Sequence, residues 1–326
     1  MIESYGWIIY NGNLNSEKFL DYVTWFQQSA LHENVKIDAI ANNHLIVTIE
    51  DGIGKVTVGD VAAEKISKSA SSFSQKNSLI MSECGNPLPK PDFIHFADKD
   101  LHLARQLEAI GLRLFNSADS IERCDNKAYM HVALSNEAIP VPKTFIAPKI
   151  YEGLSVNETT HVQLMIQALG FPFILKEAYG SFGQQVYWIE TKEAFMEHVH
   201  RLGGKEYICQ QPIDNSFGKD LRLNVVGADV VTAMMRTSQH DFRANVTAGG
   251  KTEPYTPTNE EIELALKAAR AVGADFAGVD LLIGEKGPIL CEINSNPHLR
   301  SIYECTGVDV TYSMVKYIKK EIERES

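Results

Sequence analysis

Two carboxylates and one amide lie within a short stretch near the C-terminus of this sequence: Asp280, Glu292 and Asn294. They belong to two apolar segments, residues 278–283 and 288–294, which are separated by four residues that begin and end with glycine. This pattern predicts a β-hairpin. Because strand side chains point to alternate faces, the hairpin would place the three polar side chains on one face of a sheet.

The length of the turn decides which residues of the hairpin face each other. We expect a three-residue turn with Gly287 in the left-handed conformation, which pairs Gly284 with Pro288. Asp280 then lies opposite Glu292, with the two β-carbons about 5 Å apart. Such carboxylates repel each other, and two carboxylates with one amide oxygen suit magnesium that is shared with phosphate. The alternative is a solvent-facing sheet surface on which the acids have no joint role.

A glycine-rich loop lies between two other strand-like segments. Gly180, Ser181 and Gly183 belong to this loop, and Lys176 ends the apolar segment before it. Since a strand rather than a helix follows, the loop is neither a Walker motif nor a dinucleotide fingerprint. Its backbone amides can still fold over phosphates, with the lysine as a point charge. The alternatives are an ordinary hairpin tip and a solvated strand end.

A third polar group contains arginines. Asp220 and Arg222 alternate along one predicted strand and therefore share a face. Arg236 lies on the strand that we expect to pair with it, and Arg243 and Asn245 follow. Guanidinium groups bind carboxylate or phosphate through two hydrogen bonds. The convergence of these residues favours an anion-binding site, whereas each one alone also fits a surface ion pair.

The composition limits the class of protein. The chain has 326 residues, of which 44% are hydrophobic and 22% charged, as expected for a globular protein of two or three domains. Its net charge of −11 argues against nonspecific nucleic-acid binding. We find no membrane-spanning run and no signal peptide. Five scattered cysteines indicate a reduced, cytoplasmic protein, with Cys209 and Cys291 expected as small core residues.

The segments that must position these residues form successive groups. Residues 7–115 alternate strand-like and helix-like pieces, which indicates an α/β layer with a partly parallel sheet. One helix is predicted from Ser117 to Glu137, and the chain becomes mostly β from Tyr207. The predicted fold class is α/β (α+β), with an N-terminal α/β domain at 1–117 and a second domain at 118–326, divided into 118–205 with the glycine-rich loop and 206–326 with the acidic hairpin.

In their order along the chain, these pieces resemble the ATP-grasp ligases and, among them, the RimK-type α-L-glutamate ligases. The resemblance is carried by short runs: "DNK" at 125–127, "IPVPKT" at 139–144, "FILKE" at 173–177, "CQQPI" at 209–213, "KDLRLNVVG" at 219–227, "DFRAN" at 241–245, "AGVD" at 277–280 and "EINSNP" at 292–297. It implies an ATP-grasp fold that follows a pre-ATP-grasp domain. It also implies ATP and Mg²⁺ as cofactors.

The resemblance implies a role for each phosphate-side residue. Lys127, which the helical pattern alone would put on the surface, and Lys176 would contact the nucleotide phosphates under the glycine-rich loop. Arg243 and Asn245 would meet the phosphates or an acyl phosphate.

The resemblance also implies roles on the nucleoside and substrate sides. Gln211 and Pro212 would form the hinge against which adenine packs and hydrogen-bonds through the backbone, and Asp220 would hold the ribose. Arg222 would bind a substrate carboxylate.

For the acidic hairpin, the resemblance implies magnesium bound by Asp280, Glu292 and Asn294. Glu292 would bridge two ions, and Mn²⁺ could substitute. The implied reaction is an ATP-dependent carboxylate–amine ligation through an acyl phosphate, with ADP and phosphate as products. The partners are ATP, a carboxylate and an amine, without a membrane or a nucleic acid, and the resemblance leaves room for a homo-oligomer.

Two departures from the family pattern lie on the substrate side. His298 and Arg300 follow the last motif, where RimK-type enzymes carry a glycine and an acidic residue. Residues 93–96 stand where the family carries a proline–arginine pair. His298 and Arg300 are therefore substrate candidates, and the added amino acid is left open between glutamate and others. The alternative functions are a macrocyclising ligase of ribosomal peptides and a non-catalytic nucleotide-binding regulator.

Overall fold

The computed structural model describes residues 4–14, 17–70, 79–135, 137–151, 154, 160–180, 183–239, 241–244 and 250–325. Its first elements are β1 (Ser4–Tyr10), α1 (Glu17–His32), β2 (Val35–Ala41), β3 (Leu45–Glu50), β4 (Ile53–Val58), α2 (Asp60–Ser69), β5 (Ile80–Ser82), β6 (Phe93–Ala97), α3 (Leu101–Ala109) and β7 (Leu114–Phe115). They form a four-stranded sheet in the order β2-β1-β6-β7, which we call the first sheet, and a separate three-stranded sheet in the order β3-β4-β5.

The four-stranded sheet is parallel throughout, as the alternation of strand-like and helix-like pieces predicts. Strand β1 is apolar along most of its length, because side chains on both of its faces are covered. Trp7 and Ile9 pack on one side with Leu103 and Leu107 of α3. Ile8 packs on the other side with Phe26 of α1.

The middle of the chain forms a second, antiparallel sheet. Its elements are α4 (Ala118–Asp125), α5 (Lys127–Leu134), β8 (Thr144–Ile146), α6 (Thr160–Leu169), β9 (Phe173–Glu177), β10 (Val186–Ile189), α7 (Lys192–Leu202) and β11 (Tyr207–Gln210). The strand order is β10-β9-β11-β8. Phe173 and Leu175 of this sheet pack against Val162 of α6 and Phe195 of α7. The sheet therefore has its own apolar core.

The prediction of one continuous helix from Ser117 to Glu137 is wrong. The helix ends at Asp125, and Asn126 starts the next helix by accepting a hydrogen bond from Tyr129 N at its side-chain oxygen (3.0 Å). Asparagine is a favoured N-cap, because its side chain satisfies a free backbone N–H of the first turn. The break brings Lys127 to the start of α5, where it is 5% exposed. The surface position that the helical pattern gives for this lysine is therefore wrong as well.

The last part of the chain forms a third sheet. Its elements are β12 (Lys219–Val226), β13 (Asp229–Thr237), β14 (Lys251–Pro254), α8 (Asn259–Val272), β15 (Phe276–Gly284), β16 (Gly287–Asn294), α9 (Arg300–Thr306) and α10 (Val310–Glu325), with the strands in the antiparallel order β14-β13-β12-β15-β16. Helix α8 covers this sheet and begins with the predicted capping box of Thr258 and Glu261. The mixture of four sheets with flanking helices among the described residues confirms the predicted fold class.

The acidic hairpin has the predicted partners but a different turn. Gly284 pairs with Gly287 around a two-residue turn, so the predicted pairing of Gly284 with Pro288 is wrong. Gly287 has a φ of +130°, outside the left-handed helical region that the prediction required. A bulge restores the register beyond the tip. Because Cys291 is the additional residue there, Asp280 still pairs with Glu292.

Asn116 joins the first sheet to the third. Its side-chain nitrogen donates to the carbonyls of Phe276 and Ser295 (both 2.8 Å), and its oxygen accepts from the backbone N–H groups of Asp275 (2.7 Å) and Phe276 (3.0 Å). The side chain is 2% exposed. These four bonds fix the start of β15 and the end of β16 against the first domain. The domain boundaries at 117 and 205 stay predictions.

We expect Asn116→Ala to lower the free energy of unfolding by about 2–4 kcal/mol, because it leaves buried backbone groups without partners. Urea unfolding followed by circular dichroism would measure the change. Asn13→Ala, at an exposed asparagine, is the matched control. Equal stabilities of the two variants would contradict this role of Asn116.

Candidate active site

A cavity of about 870 Å³ opens where the first, second and third sheets meet. Its lining includes fourteen of the residues predicted from the sequence: Lys127, Lys176, Gly180, Gly183, Gln211, Pro212, Asp220, Arg222, Arg243, Asp280, Glu292, Asn294, His298 and Arg300. Two other predicted residues, Ser181 and Asn245, lie outside the described residues. Groups that are scattered over more than 170 positions of the sequence are thus brought to one cavity.

A chain of ion pairs crosses three strands beside this cavity. Arg222 on β12 donates through Nε and Nη2 to both carboxylate oxygens of Asp280 on β15. Arg236 on β13 donates to both oxygens of Asp220 (2.6 and 2.7 Å) and lies 3.1 Å from Asp280. The strand register produces these contacts, because Arg222 pairs with Asp280 and Asp220 with Arg236. The predictions grouped Arg236 with the residues of an anion-binding site, whereas here it is shared between two carboxylates.

The pKa values of the two carboxyl groups in this ion-pair chain are shifted in opposite directions. Burial raises the pKa of Asp220, and the attraction of Arg236 only partly opposes that effect. Burial acts in the same direction on Asp280, but the charges of Arg222 and Arg236 outweigh it and hold its pKa below the usual value. Asp280 therefore keeps its negative charge near neutral pH, as a metal ligand must.

Two lysines enter the same cavity with few counter-charges. Lys127 Nζ donates to the carbonyl of Gly180 (3.3 Å) and lies 3.6 Å from Glu292 Oε1. Lys176 Nζ lies 3.8 Å from the thiol of Cys291. Both lysines are less than 9% exposed. Since buried ammonium groups are normally paired, this arrangement suits an anionic ligand.

Cys291 does not lie in the core, where the sequence places it. The sequence predicts a small core residue, and Cys209 is buried as predicted, but Cys291 is half-buried and lines the cavity. The strand bulge is the physical reason, because it inserts one residue and changes the side-chain alternation before Glu292. Burial raises the pKa of the Cys291 thiol, which is therefore protonated at neutral pH.

The acidic hairpin has donor groups that fit a magnesium ion. Glu292 and Asn294 are two residues apart on β16 and share one face of the strand. Asn294 Nδ2 donates to the carbonyl of Gly278 (3.3 Å), so the amide oxygen of Asn294 can bind a cation. Asp280 would be shared between the ion and Arg222. Within the described ranges there is no cluster of three histidine, cysteine or acidic residues suited to a metal, as expected for a set with only two carboxylates.

Arg243 links the glycine-rich loop to the third sheet. It binds both carboxylate oxygens of Asp241 (2.9 and 2.6 Å) and donates to the carbonyl of Gly183 (2.6 Å). Trp188 beyond the loop packs against Phe242, with ring centroids 5.3 Å apart. The second half of the loop is thus held against the segment that carries Arg243.

The predicted adenine hinge lies at the end of β11. The backbone N–H of Gln211 donates to the carbonyl of Lys143 (3.0 Å) and is therefore already used. The preceding residue, Gln210, is buried and binds His131 Nε2 (3.0 Å) and Thr144 Oγ1 (2.9 Å) through its side chain. A base that packs at Gln211 and Pro212 would find their carbonyls rather than the Gln211 N–H.

At the substrate end, Arg300 already has a counter-charge. It forms an ion pair with Asp21 of α1, and its guanidinium lies 4.9 Å from the ring centroid of Trp25. His298 lines the cavity beside it. The assignment of both residues to the substrate stays a prediction.

His95 is the part of the unusual 93–96 segment that reaches the cavity. Its Nδ1 lies 3.1 Å from the carbonyl of Phe115, and its Nε2 lies 2.8 Å from the hydroxyl of Tyr22. Burial lowers the pKa of His95 from its usual 6.5 to about 4. The imidazole is therefore neutral at physiological pH.

Comparison with known proteins gives the relatives of this chain. Residues 124–318 match the RimK-like ATP-grasp domain. The ribosomal protein bS6–L-glutamate ligase of Escherichia fergusonii is 34% identical over 224 residues, which are 68% of this chain and 72% of that protein. A probable alpha-L-glutamate ligase of Parasynechococcus marenigrum is 33% identical over 223 residues, or 68% of this chain, but these are only 46% of its own length.

Solved structures share the fold at lower identity. The D-alanine–D-alanine ligase of Bacillus anthracis in complex with ATP has a TM-score of 0.65 at 15% identity, covering 99% of this chain and 98% of that one. The ATP-grasp ligase PsnB with its minimal precursor has a TM-score of 0.66 at 14% identity, covering 98% and 99%. Among the described residues, no helix is both long and apolar enough to cross a bilayer.

The neutral state of His95 should make stability depend on pH. The unfolded chain binds a proton near pH 6.5 and the folded chain only near pH 4, so acidification between these values favours unfolding. We expect His95→Gln to remove up to about 1.4 kcal/mol per pH unit from that slope. Urea unfolding at several pH values would measure it. The exposed His102→Gln is the control, and equal slopes for the wild type and His95→Gln would refute the argument.

Proposed function

This chain belongs to the RimK-like ATP-grasp family, and from that premise we propose that it joins a carboxylate to an amine with ATP and magnesium. The observation that carries the proposal is the meeting of two sparsely paired lysines with the acidic hairpin in one cavity. Cations on one side and hard oxygen ligands on the other suit a magnesium-bound triphosphate.

The reaction has two steps in which the atoms balance. An oxygen of the substrate carboxylate attacks the terminal phosphorus of ATP, and ADP leaves with the electrons of the broken bond. The amine nitrogen then attacks the carbonyl carbon of the acyl phosphate, phosphate leaves, and the nitrogen loses a proton. Both steps depend mainly on the position and the charge of the reacting groups.

The residues of this chain would supply position and charge. Lys127 and Lys176 would hold phosphate oxygens, and Arg222 would hold the substrate carboxylate once it shares Asp280 with the metal. Arg243 would hold the glycine-rich loop over the reacting groups and exclude water, which protects the acyl phosphate from hydrolysis.

Magnesium, when bound by Asp280, Glu292 and Asn294, would neutralise charge on the phosphates during transfer. We propose two ions bridged by Glu292, with Mn²⁺ as a substitute. Gln211, Pro212 and Asp220 would hold the nucleoside, with Ser181 and Asn245 completing the phosphate contacts.

The two alternative functions have less support. A regulator without catalysis would not need to keep all of the charged residues that line this cavity. The likeness to PsnB, at 14% identity, concerns the fold alone, so it does not favour a macrocyclising function for this chain.

Glu292→Gln should lower the turnover number about a hundredfold or more, because it removes a charged metal ligand. The assay would measure ADP release with mixtures of carboxylates and amines, and mass spectrometry would identify the product. Glu285→Gln, in the turn of the same hairpin, is the matched control and should stay active. Release of AMP and pyrophosphate would refute the acyl-phosphate route, and normal turnover of Glu292→Gln would refute the metal site.

Lys176→Met should weaken the binding of a non-hydrolysable ATP analogue about tenfold or more, because it removes a charge-assisted hydrogen bond to phosphate. Isothermal titration calorimetry would measure the dissociation constant. Lys286→Met in the hairpin turn is the control for loss of a lysine. If both variants bind the analogue equally well, Lys176 does not hold the phosphates.

A further inference from the structure

The first domain contributes one side of the cavity, which we call the N-terminal wall. Its residues come from α1, from the segment before α1, from β6 and from the turn after β6, and include Leu14, Asp21, Tyr22, Trp25, His95, Asp98 and Lys99. The reaction needs both a carboxylate and an amine, and the lysines and Arg222 lie on the other sheets. The side chains of the N-terminal wall therefore indicate which of the two substrates binds there.

The hydrogen bonds of Tyr22 have a fixed direction. The carbonyl of Phe115 can only accept, so His95 must carry its proton on Nδ1. In the neutral ring Nε2 is then an acceptor, and the hydroxyl of Tyr22 must donate to it. Since the phenolic proton is used, the oxygen of Tyr22 can only accept a hydrogen bond from a molecule in the cavity. A ligand group at this position must be a donor, such as N–H.

The aromatic part of the wall is already in contact with a cation. The guanidinium of Arg300 lies over the ring of Trp25, whose indole N–H donates to Asp309 (3.0 Å). Tyr22 lies one helical turn before Trp25 and is half-buried. Aromatic faces attract ammonium and guanidinium groups and repel carboxylates.

The charges of the N-terminal wall also favour a hydrogen-bond donor on the ligand. Lys99 is the single lysine or arginine among the described wall residues, and it forms an ion pair with Asp125. Arg300, which contacts the wall from α9, is paired with Asp21. The carboxylate of Asp98 accepts hydrogen bonds from the side-chain amides of Asn42 (3.0 Å) and Asn11 (3.3 Å). It is therefore held by amides rather than by a cation. A second carboxylate on the substrate would meet acids and hydrogen-bond acceptors here.

We propose that the N-terminal wall binds the amine substrate, and that it selects an amine on an apolar or aromatic body over one with a second carboxylate such as glutamate. This inference rests on the proposed ligase function and adds the class of its nucleophile. Tyr22 accepts from the amine, Trp25 and Leu14 contact the apolar body, and the pairing of Arg300 with Asp21 withholds the cation that a glutamate side chain would need.

Two ligands of matched shape test the proposal. Phenethylamine and 3-phenylpropionate carry the same phenylethyl body, one with an ammonium and one with a carboxylate group. NMR titration of the whole protein, with and without magnesium and a non-hydrolysable ATP analogue, would be followed at the signals of Tyr22 and Trp25. It would give the dissociation constants at the wall, separate from carboxylate binding at Arg222. We expect the amine to bind about tenfold more tightly. Equal binding, tighter binding of the carboxylate, or binding of neither ligand would overturn the proposal.

Two variants locate the preference on this wall. Tyr22→Phe should weaken phenethylamine binding about fivefold and leave 3-phenylpropionate unchanged, because only the acceptor oxygen is lost. Tyr312→Phe on α10 is the control at a tyrosine outside the cavity. Asp21→Asn should strengthen 3-phenylpropionate binding several-fold, because it frees Arg300. Unchanged ligand preference in both Tyr22→Phe and Asp21→Asn would exclude the wall as its source.

The titration separates this inference from the proposed function. If the ATP analogue does not bind, the ligase proposal fails, whereas the ligand titrations without nucleotide still measure the preference of the wall. If the analogue binds and the carboxylate is preferred, the ligase proposal stands and the assignment of the amine is wrong.

Discussion

Carboxylates buried beside a cavity destabilise a protein unless cations meet them, and here Arg236 meets two of them at once. Asp220 and Asp280 lie on different strands of the third sheet, and the shared guanidinium holds both close to β13. Arg222 adds a second contact to Asp280. The ion pairs therefore reinforce the register of three strands, and the position of every group on the acidic hairpin depends on that register.

The electrostatics of the cavity differ from those of the whole molecule. The chain carries a net charge of −11, yet two buried lysines and four arginines line the same cavity. The arginines are paired with neighbouring acids. Lys127 and Lys176 are only sparsely paired and can therefore meet an anionic ligand. A negative surface around a small positive centre would limit the polyanions that bind, because large ones are repelled before they reach it.

The sequence was sufficient for the fold class and for a partly parallel first sheet. The pairing of Asp280 with Glu292 was correct although the turn from which it was derived was wrong, because the bulge offsets the shorter turn. It was insufficient where a single residue changed a local periodicity. Asn126 ended a helix whose apolar spacing continues past it, because a capping side chain competes with helix continuation. The role of Arg236 was missed, because a strand pattern does not tell which of two neighbouring arginines is shared between acids. Lys127 was identified through the family resemblance and not through its spacing.

The bulge at Cys291 has a consequence for how the hairpin can vary. On the site side of the bulge, β15 pairs with β12 as well as with β16, whereas the pairing with β12 ends at Leu281 on the tip side. The bulge thus separates two registers that a regular hairpin would couple. A change of turn length in a related sequence can be absorbed there, so the loop is free to diverge while the geometry of the acids is inherited unchanged.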